Sequence, residues 1–188
     1  MTGLDLEVDE LVEIAVVITD FELNVLDPGL SIVIKPDPSA LENMNDFVRD
    51  MHTTSGLLTD LDHGIAMDEA QAQVLDYVRE WVPEARRAPL GGNTVGTDRG
   101  FLARDMPELE AHLHYRVIDI SSIKELSRRW YPRAYFNSPK KAGGHRALAD
   151  IRESIAELRY YREAVFVPPP GPDTDTVRAI ASRHIIEA

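Results

Sequence analysis

Two hydrophobic runs near the start of the chain predict β-strands. Residues 11–19 (LVEIAVVIT) are almost continuously apolar and rich in β-branched side chains, which is typical of a strand buried on both faces. Residues 31–35 (SIVIK) form a second run, and the Asp-Pro-Gly of residues 27–29 between them is strong turn chemistry. The two runs together predict an antiparallel pair.

A helical spacing of apolar side chains follows over residues 67–82. Polar residues occupy the opposite face, and Pro83 helps to end the helix. The apolar members of the stripe are Met67, Ala70, Val74, Tyr77, Val78 and Trp81. Residues 98–106 can form a further short helix, and Pro107 suits the first position of the next one. Helices are therefore predicted after the first pair of strands.

The middle of the chain alternates between strands and helices. Residues 88–92 (APLGG) are a short apolar segment that enters a turn, and residues 115–120 (YRVIDI) alternate like a strand. Ser121 can cap a helix that continues to Trp130. This alternation predicts the α/β class.

The last third of the chain predicts a loop, a long helix and a tail. Residues 131–144 contain two prolines and a Gly-Gly pair and predict an irregular loop. The helix after this loop has four apolar side chains on one face, at Leu148, Ile151, Ile155 and Leu158. VPPPGP then predicts a stiff, extended linker before an amphipathic helix over residues 173–188. We therefore divide the chain into a domain of residues 1–166 and a linker with a helical tail, residues 167–188.

Composition narrows the class of protein. A chain of 188 residues with 44% hydrophobic content fits one globular domain that needs no metal or disulfide to hold its core together. The lack of cysteine leaves no disulfide framework and no thiolate metal site, which fits a reducing cytoplasm better than secretion. No apolar run approaches the roughly 18 residues of a membrane span, and the N-terminus is acidic where a signal peptide would be basic. We expect a cytoplasmic protein without a membrane partner.

The net charge limits the partners further. The chain carries 32 acidic and 20 basic residues, a formal net charge of −12. Binding of long DNA or RNA draws its affinity from many lysine and arginine contacts to phosphates, and an acidic surface repels such a polyanion. If this protein binds nucleic acid, the piece should be short.

The first motif that could carry chemistry is GNTVGTD, residues 92–98. It lies at a predicted junction from a strand into a helix, where it would present polar groups and the carboxylate of Asp98 at a sheet edge. Taken alone, the pattern is better explained as a turn in which Asp98 caps the following helix.

The second motif is GGHRALAD, residues 143–150. His145 lies at a loop-to-helix junction, where it can accept a proton from a water, and Asp150 is a hard oxygen ligand for a divalent metal. Taken alone, this motif is also better explained structurally, with Asp150 complementing the helix dipole and His145 as an ordinary loop residue.

The two motifs belong to a denser set of segments in one order. The set comprises VEIAVVITD, MHTTSGLL, GNTVGTDRGFL, MPELEAHLHYR, SSIKELSRRWYP and GGHRALADIRESIAELRYYRE. With them the chain resembles the oligoribonucleases, of the DEDDh group of 3′-to-5′ exonucleases, from residue 1 to Glu163, and the tail resembles actinobacterial members. The resemblance implies an α/β ribonuclease-H-like fold, a mixed sheet flanked by helices, and hydrolysis of very short RNA, dinucleotides especially, to 5′-mononucleotides.

The resemblance also implies roles in catalysis. In the family, four carboxylates hold two divalent metals, Mg²⁺ or Mn²⁺, of which one activates a water and the other stabilises the leaving 3′ oxygen. Asp98 matches the third carboxylate and Asp150 the fourth. His145 matches the general base that takes a proton from the attacking water.

Two further matches concern the bases of the substrate. Leu4, in MTGLD, matches a wedge that packs against a terminal base. Phe47 stands where the family usually has an aromatic side chain under the other base. Both side chains have an alternative explanation as ordinary core residues.

The remaining matches concern the 5′ phosphate. The resemblance implies a cap around that phosphate, in a homodimer in which Tyr115 and Arg116 of each subunit reach into the site of the other. The cap residues are His52, Thr94, Arg116 and Ser121. Such a cap would exclude long chains, in agreement with the acidic balance. Arg116 has an alternative explanation as part of a surface ion pair.

The opening residues, MTGLD, raise an expectation about the metal site. In the family this turn follows a hydrophobic strand that ends in Asp-x-Glu, and those two acids are the first two metal ligands. We expect that strand and half of the carboxylate set to lie outside the 188 residues, because of a mis-assigned start codon or omitted upstream residues. Asp5 and Glu7 also make an Asp-x-Glu, but they follow the turn, so we expect them not to be ligands.

Competing functions remain open at this point. Another DEDDh exonuclease, trimming tRNA ends or proofreading DNA, is opposed by the acidic charge and by the HYR and MTGLD matches. A protein that only binds nucleotides, or serves as a dimeric scaffold, is the alternative of a different class. We expect the 188 residues by themselves to be nearly inactive, because two of the four carboxylates are missing from them.

Overall fold

Short strands and helices alternate along the chain. The computed structural model describes residues 1–140 and 143–185. The strands are β1 (Glu13–Val16), β2 (Leu30–Val33), β3 (Pro89–Gly92) and β4 (His114–Asp119). The helices are α1 (Pro38–Asn43), α2 (Asp46–Thr54), α3 (Leu57–Asp60), α4 (Met67–Trp81), α5 (Val95–Asp105), α6 (Pro107–His112), α7 (Ile120–Trp130), α8 (Pro132–Phe136), α9 (Ala147–Val165) and α10 (Thr174–Ser182), with a 3₁₀ turn at Leu61–His63.

The first two strands form the predicted antiparallel pair. Glu13 lies opposite Val33, and Val16 lies opposite Leu30. The expectation that residues 11–19 are a strand buried on both faces is wrong for β1, which has only four residues, all half-buried. In the described part of the chain no strand pairs with the other edge of β1, and this open edge leaves its residues partly accessible.

The second pair of strands is parallel and determines where the predicted site residues meet. In β3 and β4, Leu90 lies opposite Val117 and Gly92 lies opposite Asp119. Parallel neighbours need a crossover, and α5 and α6 provide it. The carboxyl ends of both strands therefore meet at one edge, where α5 and α7 begin.

The main core is formed by α4 together with β2, α5 and α6. The predicted stripe is confirmed at Ala70, Val74 and Val78, which are buried, whereas Trp81 at the last position of the helix is exposed. Full burial of a Val, Leu, Ile, Phe or Met side chain stabilises a fold by about 1.5–3 kcal/mol. The buried members of the cluster are Leu11, Ile32, Ile34, Ala70, Val74, Leu75, Val78, Phe101, Leu102, Met106 and Leu109.

Helix α9 is long but buries polar positions most deeply. Ser154, Glu157 and Tyr161 are its buried residues, at a spacing that places them on one face of the helix. The apolar positions of the predicted face are only half-buried. Across residues 1–140 and 143–185, no helix combines the length and the apolar character that crossing a bilayer requires.

Two predicted helix caps are wrong. Helix α5 begins at Val95 with Thr94 as its N-cap, so Asp98 lies inside the first turn rather than at the cap. Helix α7 is capped by Asp119, whose carboxylate accepts the backbone N–H of Ser121 at 3.1 Å. Both helices begin earlier than predicted because they follow directly from the ends of β3 and β4.

The carboxyl-terminal third differs from prediction in part. The irregular loop predicted over residues 131–144 is wrong at Pro132–Phe136, where α8 forms with proline at its first position; residues 141–142 of that loop lie outside the described residues. The predicted tail helix is present as α10, with no buried residue, and its last predicted positions, 186–188, also lie outside the described residues. The division into residues 1–166 and 167–188 stays a prediction.

Candidate active site

Asp98 lies in the first turn of α5, shortly after the end of β3. Its carboxyl group is partly buried, and this burial raises its pKa above the ordinary value of 3.8, although the charge of the Met1 amino group acts in the opposite direction. Burial makes this carboxyl group costly to ionise, and a nearby cation favours its ionised form. Asp98 is therefore suited to bind a metal ion.

His145 and Asp150 lie at the start of α9. His145 is exposed and precedes Arg146, the N-cap residue of the helix. Its backbone is in the left-handed region, with φ of 49°, which is uncommon for a residue with a side chain. Asp150 lies in the first turn of α9, where a carboxylate also complements the helix dipole.

Charge interactions connect the surroundings of the two motifs. The Met1 amino group interacts with Asp98 and Glu13, and the ring of His52 interacts with Glu13 and His145. The pKa of His52 is lowered, first by burial and then by the charges of the Met1 amino group and His145. Glu13 is thus common to the surroundings of both motifs.

The donor set fits a divalent metal in type but not in number. The carboxylates of Asp98 and Asp150 are hard oxygen donors, which Mg²⁺ prefers. Within residues 1–140 and 143–185, however, no three His, Asp or Glu side chains come close enough together to hold an ion. The meeting of Asp98, His145 and Asp150 at one water stays a prediction.

Two predicted phosphate-cap residues are brought together by the parallel strands. The hydroxyl oxygens of Thr94 and Ser121 are 3.1 Å apart. The carboxylate of Asp119 joins them, because its Oδ1 accepts the backbone N–H of Thr94 at 3.0 Å and that of Ser121 at 3.1 Å. Sequence reasoning missed Asp119, although an aspartate two residues before Ser121 at a helix start is a usable capping signal.

Asn93 connects Thr94 and Ser121 to α9, and the sequence analysis did not single out this residue either. Its Oδ1 accepts the hydroxyl of Ser121 at 3.2 Å, and its Nδ2 donates to Ser154 Oγ at 2.8 Å and Glu157 Oε2 at 3.2 Å. Glu157 also pairs with Lys124 at 3.0 Å. One amide therefore connects the start of α7 to the buried polar face of the helix that carries Asp150.

Tyr115 and Arg116 lie in β4, the strand that ends at Asp119. The guanidinium of Arg116 lies 5.2 Å from the ring centroid of Tyr115. Among the hydrogen bonds of the described residues, none joins the Arg116 side chain to Thr94 or Ser121. The surface ion pair considered as an alternative for Arg116 is likewise not found among them. Their role from a partner subunit stays a prediction.

The three remaining predicted substrate residues differ in exposure. Leu4 is 75% exposed and Phe47 is 78% exposed, so their alternative explanation as core residues is wrong. His52 is only 3% exposed, and its Nε2 lies 2.8 Å from the carbonyl oxygen of Met1. Contact of all three with a substrate stays a prediction.

A group of ion pairs next to His145 was not predicted. Glu13 Oε1 accepts Arg146 Nε at 2.9 Å, and Asp60 Oδ2 accepts Arg146 Nη1 at 2.8 Å. Glu13 Oε2 also accepts the backbone N–H of Ala147 at 2.8 Å. The signal that could have revealed Glu13 is a lone charge within the apolar run LVEIAVVIT.

Comparison with known proteins identifies the family. The RNase_T family model, described as an exonuclease, matches residues 1–158. The oligoribonuclease of Streptomyces coelicolor is 67% identical over 188 residues, which cover the whole chain and 94% of that protein. The oligoribonuclease of Leifsonia xyli subsp. xyli is 68% identical over 187 residues, covering the whole chain and 90% of the relative. That of Mycobacterium ulcerans is 55% identical over 183 residues, covering 97% of the chain and 85% of the relative.

These relatives confirm the resemblance drawn from the motifs, including its actinobacterial character. They also confirm the α/β ribonuclease-H-like class, with which the alternation of strands and helices agrees. The chain belongs to the oligoribonuclease family of exonucleases.

Proposed function

We propose that the protein is a 3′-to-5′ exoribonuclease that hydrolyses very short RNA, dinucleotides especially, to 5′-mononucleotides. The observation that carries this proposal is the 67–68% sequence identity, over the whole chain, to proteins named oligoribonuclease. The net charge of −12 supports a short substrate, because a long polyanion would be repelled. Other exonuclease activities, on tRNA ends or on DNA, have no comparable support.

Asp98, Asp150 and His145 are the residues to which we assign the chemistry. Two divalent ions, Mg²⁺ or Mn²⁺, would polarise the scissile phosphate and neutralise charge on the leaving oxygen. Asp98 and Asp150 would supply carboxylate oxygens to hold them. His145 would accept the proton of the attacking water through an exposed imidazole.

Thr94, Ser121, His52 and Arg116 are the residues to which we assign recognition of the 5′ phosphate. Support comes from the 3.1 Å approach of Thr94 and Ser121, because two adjacent hydroxyls at the ends of parallel strands could each turn from the present partner to donate to one phosphate. Leu4 and Phe47 would contact the bases, and their high exposure leaves them accessible for this.

We also propose that the protein acts as a homodimer through β4 and α7. Support comes from a set of large apolar side chains that these elements expose, and from the edge of β4 that no described strand covers. Tyr115 and Arg116 of one subunit would then complete the site of the other. The exposed side chains are Tyr115, Val117, Ile118, Leu126 and Trp130.

Two finer points complete the proposal. Residues 1–166 would form the exonuclease domain, with residues 167–188 as a linker and tail. We place the protein in the cytoplasm, a proposal that the lack of cysteine supports because a reducing compartment gives disulfides no role.

Hydrolysis of a 5′-phosphorylated diribonucleotide with Mn²⁺ tests the proposal. The product should be 5′-mononucleotide, and a 20-nucleotide RNA should be a poor substrate under the same conditions. Equal kcat/KM for the two substrates would defeat the proposed preference, and products other than 5′-mononucleotides would defeat the proposed reaction.

We further propose that the 188 residues alone are nearly inactive. Support comes from the donor set, in which no three metal-binding side chains cluster within the described residues. The test compares this chain with one lengthened by about 15 residues, one strand with its lead-in, ending in Asp-x-Glu. The longer chain should be far more active, whereas equal activity would show that donors such as Asp5 and Glu7 suffice.

A further inference from the structure

Glu13 and Arg146 form a contact that the proposed chemistry does not use, although it lies next to His145. The side chain of Glu13 is only 6% exposed and receives Arg146 Nε at 2.9 Å. Nη1 of the same guanidinium lies 2.8 Å from Oδ2 of Asp60, whose side chain is about half exposed. One planar side chain therefore bridges β1, α3 and the start of α9.

Both oxygens of Glu13 bind the two residues that follow His145. Oε1 accepts the side chain of Arg146, and Oε2 accepts the backbone N–H of Ala147 at 2.8 Å. The first N–H groups of a helix have no partner within the helix, and a carboxylate there also interacts favourably with the helix dipole. Arg146, as N-cap residue, makes no side-chain cap of its own. Glu13 from β1 supplies the missing acceptor.

Within the described residues, no hydrogen bond or ion pair of the His145 side chain is found. His145 is exposed, its φ is 49°, and it follows Gly143, whose φ of 72° is also in the left-handed region. A side chain added at Gly144 would meet nothing within 4 Å, so no neighbouring element packs closely against this position. The location of the imidazole is therefore determined mainly by the residue that follows it.

We propose that Glu13 and Arg146 are positioning residues that hold His145 in place for proton transfer. This inference rests on the proposed function, in which His145 is the general base. The planar fork of arginine suits the role because it bonds two carboxylates at once, which a lysine ammonium does with less geometric control. The contact of Arg146 with Glu13 is the stronger of the two, because the Glu13 carboxylate is buried. The contact with Asp60 is the weaker one.

Steady-state kinetics on the dinucleotide, measured in the chain lengthened by about 15 residues, give the first test. Arg146→Ala should lower kcat by about 10- to 100-fold, because a small displacement of a catalytic group is costly, while KM changes by less than about 2-fold. Glu13→Gln should act in the same direction, and Arg146→Lys should restore part of the loss. Arg162→Ala is the matched control, because Arg162 also lies on α9 and pairs with a carboxylate, Glu22, of the amino-terminal part.

A double-mutant comparison separates positioning from general destabilisation. If Arg146 acts through His145, adding Arg146→Ala to His145→Ala should lower kcat by less than about 2-fold further, since the group it positions is already gone. A loss equal to that seen in the wild-type background would overturn the inference. If Arg146→Ala fails to fold, as thermal unfolding would show, Glu13→Gln carries the same comparison.

Amide hydrogen exchange gives a test that needs no activity. The Ala147 amide should exchange at least several-fold faster in Arg146→Ala and Glu13→Gln, while the Thr176 amide, bonded to Asp173 at the start of α10, stays unchanged. Unchanged exchange at Ala147 would overturn the inference even if the wild-type protein hydrolyses no dinucleotide. A wild type without hydrolysis, tested in the longer chain, would instead count against the proposed function alone.

Discussion

The proposed phosphate-cap cluster, formed by Thr94 and Ser121 with Asn93 and Asp119, and the start of α9 hold their side chains in opposite ways. Around Thr94 and Ser121, hydroxyls, an amide and the Asp119 carboxylate bond to one another across three elements. At the start of α9, His145 is exposed after two glycines, and its neighbour Arg146 carries the contacts to the rest of the fold. The proposed recognition of the 5′ phosphate would thus use a shared network, whereas the proposed base depends on the contacts of Arg146.

The difference has a consequence for how the two regions respond to mutation. A network distributes the loss of one bond over several partners, so a single substitution in the cap should weaken substrate binding without stopping the reaction. The start of α9 concentrates the proposed chemistry in two side chains, so substitutions there should lower kcat. The predictions below test this contrast in the lengthened chain proposed above.

Asp150→Asn should have the largest effect, reducing dinucleotide hydrolysis to background. A neutral amide is a poor substitute for an anionic ligand of a hard metal ion. Asp175→Asn is the matched control, because Asp175 also lies in the first turn of a helix, α10, but on the exposed tail. Turnover near the wild-type rate in Asp150→Asn would place the metal site elsewhere.

His145→Ala should lower kcat by about 100-fold or more, through loss of the general base. Binding of Mn²⁺, measured by calorimetry without substrate, should be retained, because His145 is not assigned as a ligand. His184→Ala, at an exposed position near the tail helix, provides the comparison. A rate within about 2-fold of the wild type would show that another group takes the proton.

Arg116→Ala should raise KM for a 5′-phosphorylated dinucleotide by about 10-fold, as expected for loss of a hydrogen bond to a charged group. The kcat should change little, because Arg116 is assigned to the 5′ phosphate and not to the phosphate that reacts. Arg128→Ala, which removes an exposed arginine of α7, is the control. The same KM increase on a dinucleotide without the 5′ phosphate would contradict the assigned contact.

Asp98→Asn should change the pH dependence of stability in the metal-free protein. Because burial raises the pKa of Asp98, the folded state binds its proton more tightly than the unfolded chain does. The wild type should therefore lose stability relative to the variant as pH rises from 3.8 through the raised pKa. Thermal unfolding with a chelator, scanned over pH, measures this small shift.

Added Mn²⁺ should make the wild type more stable than Asp98→Asn at neutral pH, which reverses the order expected without metal. A ligand that binds only the folded state stabilises it, and the wild type retains the carboxylate that binds the ion. A variant that gains as much from Mn²⁺ as the wild type would remove Asp98 from the metal site. A difference in unfolding that does not vary with pH would contradict the burial of its charge.

Much of the fold could be predicted because its signals are local. The stripe over α4 follows from a spacing of 3.6 residues, and the hairpin of β1 and β2 from two apolar runs around Asp-Pro-Gly. Helix starts were less accurate at α5 and α7, because the ends of parallel strands decide where those helices begin. The helix α8 was missed because Pro132 was interpreted as a breaker instead of a first-turn residue.

The residues of the candidate site also divide into those that the sequence revealed and those that it did not. Asp98, His145 and Asp150 could be singled out only through the resemblance to the family, because each motif taken alone is better explained structurally. Asn93, Asp119, Glu13 and Arg146 could not, because each acts through partners that are distant in sequence. Arg146 and Glu13, for example, are separated by 133 positions, and Asn93 and Glu157 by 64.

The sequence by itself therefore determined the family, the helix and strand types, and the residues proposed for catalysis, since these depend on short patterns and their order. The tertiary structure alone decided which hydroxyls meet at the cap, which amide joins α7 to α9, and which buried carboxylate holds the residue after His145. The physical reason is that hydrogen bonds and ion pairs depend on distances of about 3 Å, which chain crossovers create and local patterns do not encode.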